Sequence, residues 1–493
     1  MKTTKLYRLL NTIETRELKA LEHFLLSPYF TNKTEPIALF RELRPFHPIY
    51  QKVDKVQLYK KLRPKKAFDV HWLNDRYSEL SRLVETFLQS QQLTRDEGLS
   101  GSVRCQAFRE RGLHQSFFKE CRSTIAFYTE RQAIHPNTPL SLWELHHSIY
   151  RHPATPAKPD PFEEELKAMA YLDQYYITHQ LSFVVNCLGG ATARTIPLSE
   201  EWLSAILEKA SRYQGENPLL AIYLQLIRLF REGCTLDKYL LATQQFMALA
   251  SLLEKEEKAF LLVKLANLGS SQFTQGQMDY LPQLLPLYQY GLEEGLFLTN
   301  GILSEDLFLN ICVLGAYANE PDWTRTFIET NEPFLKPAYS QETLALGKAY
   351  VAFHMGDFIA AHKLLNEVQS SRLVFKLRLN SLSVRCLLEA TLANDSFYSP
   401  FKAKVDNFNK FIRRNHLLSA QRKQPYLLFA AMALKIARLH KKPDRNKADY
   451  LLLEQKISEM ASIIFKSWLL AKLKQSRDSL EEQERWPSRK QKK

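Results

Sequence analysis

Histidine, cysteine, and clustered lysine, arginine and glutamate are the residues in this 493-residue chain with chemistry to offer. The densest histidine group is His146, His147 and His152, with His135 upstream. Adjacent helical residues point about 100° apart, so His146 and His147 cannot easily face one ion. They read as surface or loop histidines beside a proline-rich connection, and no metal is expected. Glu163, Glu164 and Glu165 follow Pro161 at a helix start, where carboxylates complement the positive end of the helix. An acid–base pair would need two carboxylates converging across a cleft. The cysteines at 105, 121, 187, 234, 312 and 386 are scattered, with no C-x-x-C pair, as fits free thiols in a reducing cytoplasm. Phosphate-cradling loops of the G-x-G-x-x-G and G-x-x-x-x-G-K-[ST] kinds do not occur, nor do H-E-x-x-H or G-x-S-x-G. No catalytic residue and no cofactor is therefore assigned, and the expectation is a protein without enzymatic activity.

Charge is the other resource. The net charge of +14 is unevenly placed. Residues 1–95 hold 18 basic and 10 acidic side chains, whereas residues 96–401 hold 26 and 34. Residues 402–447 hold 13 basic residues against Asp406 and Asp444 alone, and the chain ends in RWPSRKQKK. Lys55, Lys60, Lys61, Arg63, Lys65 and Lys66 form a run without an acid, with Tyr59 inside it and Phe68 just beyond. Nucleic-acid binding draws on lysine and arginine clustered on one surface. Lys60, Lys61, Lys65 and Lys66, with Arg413, Arg414, Arg422 and Lys423, are the candidate polyanion contacts. The alternative is that these side chains solvate helix flanks or pair with the acidic middle.

The elements that position these groups are helical. Gly is scarce at 15, hydrophobic residues reach 45%, and no alternating β-branched runs occur. Residues 1–95 predict a compact module. Its first helix is expected over about Thr4–Leu26, and its clearest runs from Asp69 through Leu73, Tyr77, Leu80, Val84 and Phe87. Helical hairpins follow over 102–447, then a C-terminal helix at 448–484 and a basic disordered tail at 485–493. The clearest hairpin is LALGKAYVAFHMGDFIAAHKLLNEV, residues 344–368. Ala345, Ala349 and Ala352 form a small-residue stripe in its first helix. Gly356 suits a left-handed helix end and Asp357 the next N-cap. Such a hairpin cannot bury its apolar faces alone, so stacked neighbours are expected. Inter-helix turns at Asn319, Gly356 and Asn394 are 37 and 38 residues apart, a period near those of tetratricopeptide and HEAT arrays. The fold expected is all-α, an α-solenoid behind a small helical N-terminal module. Trp72, Trp143, Trp202, Trp323 and Trp468 read as packing anchors, and Tyr223, Tyr317 and Tyr350 as buried rather than groove-lining.

In its order of landmarks the chain resembles a group of uncharacterised bacterial helical proteins with degenerate tetratricopeptide-like repeats. The landmarks are SPYFTNK (27–33), SELSRLVETFL (78–88), LDQYYITHQLSF (172–183), NPLLAIYLQLIRLF (217–230), GILSEDLFLNICVLG (301–315), EPDWTRTFIE (320–329) and FKAKVDNFNKFIRRNHLLS (401–419). The resemblance spans nearly the whole chain; it implies the fold and supplies no activity or site residues. Charges in the first 24 residues break the apolar core a signal peptide needs, and no run of 18 apolar residues is free of charge. A cytoplasmic scaffold or adaptor that binds an unknown protein or peptide is the leading expectation. A nucleic-acid-associated protein using the basic N- and C-terminal patches is the rival.

Overall fold

The computed structural model describes residues 4–131, 133–155, 161–189, 198–368 and 370–485. It is 78% helical, with 23 α-helices and no strand among the described residues. By its internal contacts the chain forms two units, Met1–Gln132 with Pro136–Tyr176, and Ala133–His135 with Ile177–Lys493. The boundary between Tyr176 and Ile177 falls inside one long helix.

The first unit carries α1 (Lys5–Leu10), α2 (Leu18–Leu26), α3 (Glu35–Leu43), α4 (Lys55–Leu62), α5 (Val70–Arg95), α6 (Glu97–Glu110), α7 (His114–Glu130), α8 (Thr138–Tyr150) and the start of α9 (Pro161–Leu188). Short polar caps set the starts. Asp69 accepts the N–H groups of His71 and Trp72 at 2.9 and 3.1 Å, and Asp54 does the same for Val56 and Gln57. A core running from Leu6 to Phe87 joins α1–α5, with Phe40, Leu43 and Leu80 fully buried at its centre. The expected first helix is interrupted. Ile13 drops into the core, and Glu14 and Glu17 form a capping box that starts a new helix, the Glu14 N–H donating to Glu17 at 2.9 Å.

The second unit continues with α10 (Glu200–Tyr213), α11 (Pro218–Glu232), α12 (Leu236–Leu249), α13 (Lys255–Thr274), α14 (Leu281–Glu293), α15 (Glu305–Tyr317), α16 (Pro321–Asn331), α17 (Ser340–His354), α18 (Phe358–Asn366), α19 (Leu373–Ala393), α20 (Tyr398–Arg414), α21 (Ala420–Lys441), α22 (Lys447–Ser458) and α23 (Lys466–Arg485). Successive helices pack on one another, and α15 also packs on α17, α17 on α19 and α19 on α21. The turns after α15 and α17 are built alike. Asn319 and Gly356 take left-handed φ of 59° and 81°, and the following N–H of Glu320 or Asp357 returns to the carbonyl of Gly315 or Ala352 at 3.0 Å. Asp357 then caps α18 through the Ala360 N–H at 2.9 Å. Burial repeats at the same offset: Leu309, Cys312, Thr324 and Ile328 are buried, and so, 37 residues on, are Leu346, Ala349, Ala361 and Leu365. Where the sequence suggested one helix over 448–484, the structure has two. The chain leaves helix between Ser458 and Lys466, and Phe465 takes a left-handed φ of 55°.

Parts of the chain lie outside the described residues. These include residues 156–160 of the proline-rich connection, residues 190–197 and the basic tail from 486 onward. Among the described residues no helix is long and apolar enough to cross a membrane.

Candidate interaction site

The site begins with α19, which is buried on every side from Ser381 to Thr391. Polar side chains in that stretch must find partners inside the protein. Thr391 donates to the Leu387 carbonyl at 2.7 Å, and Ser383 lies 2.9 Å from His362 Nδ1. Glu389, 8% exposed, accepts from Lys472 Nζ at 2.9 Å and from the Trp468 indole N–H at 3.2 Å.

The Ser381 Oγ has no hydrogen-bond partner among the described residues, and Arg385 is the charged exception. It is 2% exposed, yet its Nε and Nη2 make no hydrogen bond, and no carboxylate pairs with it among the described residues. Three aromatic rings enclose the guanidinium instead, with Phe353, Phe465 and Trp468 centred 4.3, 4.9 and 5.0 Å from it. Each ring face returns about 0.5–2 kcal/mol, against several kcal/mol for burying an unpaired charge. His354, beside it on α17, is pushed down to about 4, first by burial and then by the Arg385 charge. Its Nε2 is also without a hydrogen-bond partner among the described residues, and its ring lies 4.1 Å from that of Tyr317. The arrangement leaves an unpaired cation beside a neutral imidazole.

The cover over Arg385 comes from the far end of the sequence. Phe465, 37% exposed, separates the guanidinium from solvent and packs against Phe429 of α21 at 5.3 Å. Leu469 and Leu473 of α23 are fully buried, and Arg477 pairs with Glu454 of α22 at 2.8 Å. At the start of α23, Ser467 closes on the Gly276 turn so tightly that an added Cβ there would lie 2.4 Å from its Oγ. Along α19 and α23 the contacts advance together, from Arg385 with Phe465 and Trp468 to Glu389 with Lys472. Beyond them, Leu392, Phe358, His440, Ser476 and Leu480 line a cavity of about 360 Å³. The two helices thus run in the same direction here.

The basic residues singled out from sequence lie elsewhere, in both units. In the first, Lys60, Lys65 and Lys66 are exposed, Lys61 pairs with Glu42 at 2.9 Å, and Arg63 stacks 4.7 Å from the Trp72 ring. In the second, Arg413 and Arg414 end α20 and Arg422 begins α21. All three are exposed, with no ion pair among the described residues. Lys423 donates to the Arg413 carbonyl at 3.1 Å, so it caps α20. Lys442 pairs with Asp449 at 3.0 Å and Lys441 lies 4.6 Å from the Tyr398 ring.

Two histidines expected at the surface are buried. His146 meets Glu164 at 2.6 Å, and His152 stacks on Phe117 at 4.4 Å. Neighbouring His147 meets Glu165 at 2.9 Å, so two of the helix-start carboxylates bridge α9 to α8. Among the described residues no three His, Cys, Asp or Glu side chains are grouped to hold a metal ion. Tyr223 is fully buried and Tyr350 is 9% exposed.

Sequence reasoning missed Arg385 and its cover. The available signal was local: between Arg378 and Glu389 the only charged residue is Arg385, in the run Leu382–Leu388. No protein-family model matches the chain, and no curated protein and no solved structure matches it either.

Proposed function

We propose that this chain is a non-enzymatic cytoplasmic adaptor, an α-solenoid of degenerate tetratricopeptide-like hairpins that binds a protein or peptide. The observation that carries the reading is the 37-residue register between α15–α16 and α17–α18, in turn geometry and in buried positions alike. The packing of α15 on α17, α17 on α19 and α19 on α21 supports it, because first helices stacked in series line one continuous face. Repeat arrays use such faces to hold extended or helical partners.

Crosslinking followed by affinity capture of the full chain, from nuclease-treated lysate of cells that express it, tests this. The expected result is a reproducible protein partner whose crosslinks fall on α17, α19, α21 or α23. Recovery of nothing above background, or of partners lost on nuclease treatment, would overturn it. The second reading, nucleic-acid contact, is favoured by the exposed and unpaired Arg413, Arg414 and Arg422. Free lysines and arginines are what phosphate neutralisation requires.

A further inference from the structure

We propose that α23 with Phe465 is an internal placeholder, seated where a partner helix binds, and that the partner supplies a carboxylate to Arg385. This rests on the adaptor reading. The cover satisfies the groove in part. Trp468, Leu469 and Leu473 fill its apolar portion, and Lys472 pairs with Glu389 at 2.9 Å. Arg385 lies one helical turn before Glu389 on α19, and the cover offers it only the rings of Phe465 and Trp468. An unpaired buried guanidinium is the half of the recognition that the cover leaves unmade.

The hold at Phe465 is also strained, since a bulky side chain at φ 55° sits in a region it rarely adopts. Because α19 and α23 run in the same direction, the register of the partner follows from the cover. Its acid belongs at the position of Phe465 and its base at that of Lys472, seven residues apart and on one helix face. The occupant is therefore an amphipathic helix with an acid, an apolar pair and a base in that order.

The probe is a synthetic peptide of residues 459–485, made with Phe465 retained, or with Phe465→Glu or Phe465→Gln, and labelled for fluorescence anisotropy against the full chain. The Glu peptide is expected to bind at least ten-fold tighter than the Gln peptide. That preference should disappear in the full-length Arg385→Met protein, and hydrogen exchange of α23 should accelerate as the Glu peptide binds. Should Arg385→Met fail to fold by circular dichroism, Arg385→Lys removes the planar fork and is expected to reduce the preference. Equal binding of Glu and Gln peptides, no binding of either, or an α23 that stays protected would overturn the placeholder. A captured partner crosslinked to another face would do the same while leaving the adaptor reading intact.

Discussion

Acidification from pH 7 to pH 5 is expected to weaken the second unit through His354, and His354→Gln is expected to remove that share of the loss. Burial first and the Arg385 charge second push the histidine from 6.5 down to about 4. Below about pH 6.5 the unfolded chain binds a proton at this position that the folded chain takes up only near pH 4, so stability falls as pH drops through that window. The full gap is worth about 3 kcal/mol, and the part lost between pH 7 and pH 5 is about 2 kcal/mol. Burial also lowers His152, His179, His362 and His440, so the wild-type profile contains several protons. The difference between wild type and His354→Gln isolates one of them. Urea unfolding across the pH range, with hydrogen exchange followed in α17 and α19, supplies the two profiles. Parallel curves for wild type and variant, offset but with the same slope from pH 7 to pH 5, would refute the coupling to Arg385 and the burial that produces it.

Ala361→Phe should overpack the contact between α17 and α18, where Ala349 and Ala361 are both fully buried, costing about 1–3 kcal/mol and lowering the melting temperature. Gly356→Ala forces a Cβ into φ 81° and should cost about 1 kcal/mol by urea titration, with the turn otherwise open around it. Exchanging Arg413, Arg414, Arg422 and Lys423 for Gln should leave the melting temperature nearly unchanged. In anisotropy titrations at physiological salt the wild type is expected to show no micromolar affinity for duplex or single-stranded nucleic acid. Micromolar binding whose salt slope flattens in the quadruple variant would establish the second reading.

The helical class was legible because burial of one helix face leaves a 3.6-residue period in the sequence, and the 344–368 hairpin because its signals are local. Gly356 does end α17 with positive φ, Asp357 does cap α18, and Ala349 and Ala361 are buried. Local reading failed where competing signals were equally local but weaker. The Glu14–Glu17 capping box broke a stretch whose apolar spacing alone suggested one helix. Over 448–484 the sequence carried no glycine or proline to announce the break that the structure places before Phe465. The candidate site was largely illegible. Arg385 draws its surroundings from α17 and from the segment entering α23, and a ring pair on Phe465 and Trp468 looks like ordinary core until the long-range packing is known. The basic patches were legible as charge, but sequence could not say that Lys61 and Lys423 are already engaged while Arg413 and Arg414 are not.

The distance along the chain between α19 and its cover has a consequence during synthesis. Trp468 and Lys472 emerge from the ribosome about eighty residues after α19, a delay of roughly 4–16 s at ordinary elongation rates of about 5–20 residues per second. Throughout that interval Glu389 lacks its lysine and Arg385 lacks two of its three rings. The nascent chain therefore displays a charged, half-apolar groove at the stage when chaperones and neighbouring nascent chains have access to it. Vectorial emergence places the docking of α23 after α19, α20, α21 and α22 have all been synthesised.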